Sequence, residues 1–332
     1  MKYFLKSNLL LGCLMCLSLP ALSNPVERAV VIAEPAWVAH LDVDALRKSA
    51  VGAQILAEMK KPEADLHFAM LKAAVGNDLR TTLHGITVYG ASANPEDGVA
   101  LVYADLNSER LLSLAQLAED YRETSHGQHQ IASWIDDKRR KKEGGKPRTY
   151  AAIYQNRLVI FAQQESSLAE ALEVLDGTKK NLGQGSDFPK FGAGEPEILQ
   201  AAVRHLNGHG DGPPAAILKL SKLISLDVRE ADEKVLANLY LETTGEDAAQ
   251  QVANIARGII ALMGLPMGNP DAVTLSKHLS VEQTGANATV RLDIPANDII
   301  AAIKDNAAKE AAKKASADND DDGKVTKDKD GK

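Results

Sequence analysis

The sequence predicts an α+β protein built from two related modules. Each has the order strand-strand-helix-strand-strand-helix, with antiparallel sheets and helices on one face. Three observations predict it. Ile224, Leu226 and Val228 alternate with Ser225, Asp227 and Arg229, the period of a strand with one wet face. Ala248, Val252, Ile255, Ile259 and Leu262 fall at helical spacing. Residues 86–111 and 224–248 both run strand, acidic turn, strand, polar helix start, and each is followed by helix, strands and helix. One continuous sheet drawn from both halves is the other arrangement this order allows.

Residues 1–23 have the form of an export signal. Lys2 and Lys6 precede an apolar run, Leu9 to Leu19, that is too short to span a bilayer, and small residues lie ahead of a cut before Asn24. Leu10-Leu11-Gly12-Cys13 is similar to a bacterial lipobox, so lipid attachment at Cys13 is the competing fate. Both cysteines, Cys13 and Cys16, belong to this segment. A chain beginning at Asn24 therefore has no disulfide, thiolate nucleophile or thiolate metal site. Removing Lys2 and Lys6 leaves 36 basic residues against 45 acidic ones, a net charge of −9, which disfavours specific nucleic-acid binding. The expected location is periplasmic or secreted, with no transmembrane span after the signal.

The first module is expected over residues 24–175 and begins with a strand-helix extension: a strand at Ala36 to Val43, then a helix capped by Asp44. A second helix carries Leu66, Met70, Leu71 and Val75. Strands His84 to Ala91 and Val99 to Leu106 flank Asn94-Pro95-Glu96-Asp97-Gly98, which is turn chemistry. Leu111, Leu114, Ala118 and Tyr121 mark the next helix. Strands at Gln130 to Ile135, Thr149 to Tyr154 and Arg157 to Ala162 follow. A helix with Ser167 and Glu170 as a capping box ends at Gly177. Residues 176–197, with five glycines and two prolines, read as a linker. The second module spans 198–303, with strands Ile224 to Arg229, Val235 to Glu242, His278 to Gln283 and Ala288 to Ile294, and a last helix from Asn297. Residues 304–332 hold eight lysines and eight acids with almost nothing apolar, the composition of a disordered charged tail.

Catalytic signatures are missing: the sequence holds no GxSxG, no phosphate loop and no HExxH. His205, His209 and Asp211 are candidate metal ligands, but Gly208 and Gly210 break the helix that would align the imidazoles. The plainer account is a helix C-terminus at His205. His126-Gly127-Gln128-His129 reads as an exposed turn. Lys138, Arg139, Arg140, Lys141 and Lys142, with Lys146 and Arg148, form a basic block that suits a polyanion or a solvated hairpin loop. The acidic groups Asp136-Asp137 and Glu230 to Asp232 fall in expected turns and are given no role.

Residues 318–329 resemble an EF-hand calcium loop. By that resemblance Asp318, Asp320 and Asp322 are the carboxylate ligands, Gly323 gives the turn and the Lys324 carbonyl adds a ligand. Lys329 stands where the family has a bidentate Glu, so binding would be weak. No other cofactor is expected. The layout as a whole is similar to secreted bacterial proteins with duplicated sheet-and-helix units, and that resemblance brings no activity with it. The function expected is an exported, non-enzymatic binding or structural protein whose partner is another protein or an envelope component. The rival is a metal-assisted hydrolase or small-ligand enzyme with its site between the modules.

Overall fold

The computed structural model describes residues 26–137, 140, 147–184, 188–189, 196–204, 212–266 and 270–322. Among the described residues twelve strands form one antiparallel sheet. They are β1 (Trp37–Asp42), β2 (Leu83–Gly90), β3 (Gly98–Ala104), β4 (Arg122–His126), β5 (His129–Ile135), β6 (Arg148–Tyr154), β7 (Leu158–Ala162), β8 (Leu199–Arg204), β9 (Ser221–Ala231), β10 (Lys234–Thr243), β11 (Leu279–Thr284) and β12 (Asn287–Pro295). Their order across the sheet is β11-β12-β10-β9-β8-β1-β2-β3-β7-β6-β5-β4. The halves therefore meet in one continuous sheet through β1 and β8, which pair antiparallel with Ala39 opposite Ala201. The expectation of separate sheets is corrected on this point.

Helices α1 (Val43–Lys48), α2 (Ala50–Glu58), α3 (Pro62–Val75) and α4 (Leu79–Thr82) link β1 to β2, and α5 (Ser108–Ala115) follows β3. Next come α6 (Glu165–Leu175), α7 (Pro213–Leu220), α8 (Glu246–Met263), α9 (Pro270–Ser276) and α10 (Ala296–Asp322). Local chemistry sets several boundaries. Asp42, not Asp44, caps α1 by accepting from the Ala45 amide at 2.7 Å. Ser49 caps α2, and the Glu230 carboxylate accepts from the Ala50 and Val51 amides at the same helix start. Glu230 thus has a role that a turn residue would lack. Ser167 lies inside α6, whose N-cap Gln164 makes no side-chain cap, so the expected capping box is absent. Gly177 ends that helix as expected, at φ +74°.

Alternation divides the sheet residues between two faces. On the back face of the first half, Val38, Tyr89, Leu101 and Ile160 pack against Leu168, Ala171 and Leu172 of α6 and against Val30 and Val31 of the N-terminal segment. This is the main core. On the front face of the second half, Leu241 and Ala288 pack against Val252 and Ala253 of α8, with Ile217 and Leu220 of α7 beside them. Val235 and Ile294 meet Val51 of α2 and Ile299 of α10 on that same face. Helices α7, α8 and α10 thus lie on one face. The first half departs, because α5 sits on the front and α6 on the back.

Strands β4 and β8 and helix α7 are findings beyond the sequence reading. Because β8 runs to Arg204, a strand and not a helix precedes His205. Helical backbone extends through Asp322, past the expected boundary at residue 304. Asp318, Asp320 and Asp322 therefore lie on helical backbone, and Gly323, Lys324 and Lys329 of the calcium-loop resemblance lie outside the described residues. No helix among the described residues is long and apolar enough to cross a membrane.

Candidate functional site

The candidate site is a cavity of about 780 Å³ between α5 and the front face of β5, β6 and β7. Its floor is Trp134, Ile153, Val159 and Phe161 with the small residues Ala132 and Ala151; its roof is Leu111, Leu112, Leu114, Ala115 and Ala118. The volume lies in the range of sites that enclose small organic ligands, roughly 300–1,000 Å³.

Sequence explains why this helix stands away from the sheet. α5 has an apolar stripe, yet none of its residues is buried. It is fixed by polar groups at its ends. Asn107 caps it by accepting from the Arg110 amide at 3.0 Å, and the Arg110 guanidinium donates to the carbonyls of Ala73 and Ala74 (3.0 Å) at the C-terminal end of α3. Gly76 makes this clamp feasible: it holds φ +90°, and a Cβ there would come within 3.1 Å of the Arg110 side chain. Beyond the helix, the Ile135 amide donates to the Glu119 carbonyl at 3.0 Å. Arg148 donates to the Asp120 carboxylate (2.7 Å), the Asp120 carbonyl (2.8 Å) and Ser133 Oγ (3.0 Å). The loss of hydration that Asp120 suffers there tends to raise its pKa, but hydrogen bonds from Arg148 and Arg122 outweigh it and hold the carboxyl below the ordinary Asp range. The stripe between these fastenings rests over the cavity.

The polar lining residues gather at one end. The β4–β5 turn supplies Gln128, His129 and Gln130, the β6–β7 turn supplies Asn156, and Ser108 opens α5. The register places both turns and the end of β3 on the same side of the sheet: Ala132 pairs with Ala151, Tyr154 with Leu158, and Leu158 with Tyr103. His129 Nε2 lies 2.8 Å from an Asp176 oxygen, and its ring stacks at a tilt on Tyr154, 5.4 Å between centroids. Burial, then the Asp176 charge, pushes the Tyr154 phenol above its ordinary pKa, and its hydroxyl donates to the Leu175 carbonyl at 3.1 Å. His126 makes a second link to α6 through Glu173, at 3.1 Å. The expected turn at residues 126–129 is therefore a hairpin tip tied to α6 by two imidazole–carboxylate contacts.

None of the residues selected from sequence is among the described lining of this cavity. His205, His209 and Asp211 lie outside the described residues, as do Lys138, Arg139, Lys141, Lys142, Lys146, the export segment and Cys13. Of the basic block, Arg140 pairs with Glu119 (2.6 Å) and Asp137, and Arg148 with Asp120. These two cations hold the chain after α5 and face carboxylates of this same molecule. Among the described residues no group of three or more His, Cys, Asp or Glu side chains is placed to hold a metal. The cavity residues were missed because helical spacing at Leu111, Leu114 and Ala118 signals an apolar stripe without giving its distance from what it faces.

No family model matches this chain, and no curated protein matches it. Among solved structures, crystal forms III, I and IV of TP0453 align with 83% of this chain and with 96%, 95% and 95% of theirs. The identities are 9%, 11% and 8% and the TM-scores 0.48, 0.44 and 0.45. Likeness at this level carries no argument about function.

Proposed function

We propose that this chain is an exported, non-enzymatic binding protein that holds a small apolar molecule beneath α5. The observation that carries this is the unfilled stripe of α5 facing Trp134 and Phe161 across a ligand-sized space. Exposed apolar surface facing a cavity is stabilised when a ligand covers it, at roughly 25 cal/mol per Å² removed from water. The chemistry of the lining favours binding over catalysis. The His129 ring is engaged with Asp176 and Tyr154 beside α6, and among the described lining residues there is no carboxylate, lysine or arginine. Export is supported by the sequence of residues 1–23 alone.

The reading includes an origin for the cavity: the halves are diverged copies of one unit. In support, β1–β2–β3 and β8–β9–β10 are laid out in the same order from the β1–β8 junction, and a helix follows the third strand in each. In each half the last strand of the next set, β7 or β12, returns beside that third strand. By this correspondence α5 is the counterpart of α8. The copies differ in their closing helices, since α6 takes the back face and α10 the front.

An uncharged environment-sensitive dye such as N-phenylnaphthylamine tests the binding reading. The expected result is saturable one-to-one binding that Ala115→Trp abolishes without lowering the melting temperature. Dye binding unaffected by Ala115→Trp would place the site elsewhere and refute the reading.

A further inference from the structure

Resting on the binding reading, we infer that the ligand is an elongated amphiphile with a single hydrocarbon chain and an uncharged, hydrogen-bonding head. Shape and chemistry both lead there. The floor from His129 to Trp134 extends roughly 17 Å at strand rise, and the roof from Ser108 to Ala118 about 15 Å at helix rise, so the space is longer than a compact ring system requires. Among the described lining residues, the amide, hydroxyl and other polar side chains apart from the Trp134 indole occur at the end where the β4–β5 turn, the β6–β7 turn and the start of α5 meet. Toward Trp134 and Ala118 the described lining is apolar apart from the Trp134 indole N–H.

The nature of the polar end decides the head group. Gln128, Gln130 and Asn156 offer amides and Ser108 a hydroxyl, while the His129 ring turns away to Tyr154 and Asp176 beside α6. Each amide both donates and accepts, which suits hydroxyl, ester or amide heads. No Lys or Arg among the described lining residues meets an anionic head, and no Asp or Glu meets a cationic one. A charged head drawn to this end would lose hydration without gaining a counter-charge.

Three probes with the same chain separate the alternatives: monolaurin (uncharged), laurate (anionic) and dodecylphosphocholine (zwitterionic). They are titrated below their micellar concentrations against the full chain and read by tryptophan fluorescence. Monolaurin is expected to bind, with laurate at neutral pH weaker by about tenfold or more, as an uncompensated charge near a low-dielectric site demands. Gln128→Lys, at an exposed turn position, is expected to shift the ratio of laurate to monolaurin binding toward laurate by about tenfold. Equal binding of all three, or a preference for laurate in the unaltered chain, would overturn the head-group inference while leaving the cavity as a binding site. Failure of all three to bind, with the dye also indifferent to Ala115→Trp, would instead overturn the binding reading on which the inference rests.

Discussion

Two helices of this molecule follow a β-hairpin, lie on the front face of the same sheet and carry a comparable apolar stripe, yet they meet the sheet differently. α8 buries Ala249, Val252, Ala253 and Ala256, each 5% exposed or less, against Leu241 and Ala288. α5 buries none of its residues. The difference lies in side-chain size and in what does the fastening. Alanines bring the α8 backbone close enough for ordinary core packing. α5 presents leucines to Trp134 and Phe161, and its ends are tied by hydrogen bonds from Arg110 and Arg148 and not by packing. An amphipathic helix is therefore not by itself evidence of a closed core. One stripe makes a core and the other makes a cavity.

The largest expected contrast comes from truncating one leucine on each side. Leu241→Ala, at a position 1% exposed, is expected to cost about 2–5 kcal/mol in denaturant unfolding, whereas Leu114→Ala should cost under about 1 kcal/mol because it enlarges an existing space. Equal costs would break the comparison. Adding volume gives the converse. Ala253→Leu in the filled interface is expected to destabilise by about 1–3 kcal/mol, while Ala115→Leu, directed into the cavity, should leave the unfolding midpoint nearly unchanged. A large loss from Ala115→Leu would mean that α5 already packs closely.

The fastenings sharpen the contrast at smaller scale. Arg110→Ala is expected to cost about 1 kcal/mol and to speed amide hydrogen exchange within α5, leaving α8 protected as before. Unchanged exchange in α5 would show that packing, not the clamp, secures the helix.

The smallest effect concerns the back face, which α6 covers in the first half and no helix among the described residues covers behind β9 and β10. Glu197, beside that region, has its carboxyl pushed above the ordinary range mainly by burial. The Gln200 hydrogen bond opposes this and the Asp227 charge adds to it. A raised folded-state pKa favours the protonated native form, so native stability falls as pH climbs from the unfolded Glu pKa through the folded one. Glu197→Gln is accordingly expected to raise the melting temperature slightly at neutral pH, with the gain vanishing in acid below the ordinary Glu range. A gain that persists there would mean that this carboxyl is not the cause.

Much of the fold was legible because each strand with one dry face alternates, as Ile224, Leu226 and Val228 do, and because α8 repeats small apolar residues at helical spacing. The omissions have physical reasons. β4 is an edge strand whose residues Arg122, Glu123, Thr124 and Ser125 are all exposed, so it carries no apolar alternation. β8 lies between β9 and β1 with Gln200 fully buried, its side-chain carbonyl accepting from the Val26 amide at 2.8 Å. A buried glutamine among small residues gives no apolar alternation to mark a strand until its distant partner is known. Helix α7 opens on the proline pair Pro213 and Pro214, which suits the first turn, where amides lack helical partners. The cavity was not legible at all. Its defining quantity is the gap between α5 and the sheet, set by Arg110 reaching α3 and Arg148 reaching Asp120 across 28 residues of chain.

The most direct test is a crystal structure of the chain soaked with dodecanol, an uncharged single-chain alcohol. The account predicts an extended density between α5 and the Trp134–Phe161 floor, its hydroxyl toward Gln128 and Asn156, with the Arg110 and Arg148 fastenings intact. A helix α5 collapsed onto Phe161 with no room beneath it, or alcohol bound under α8 instead, would contradict it.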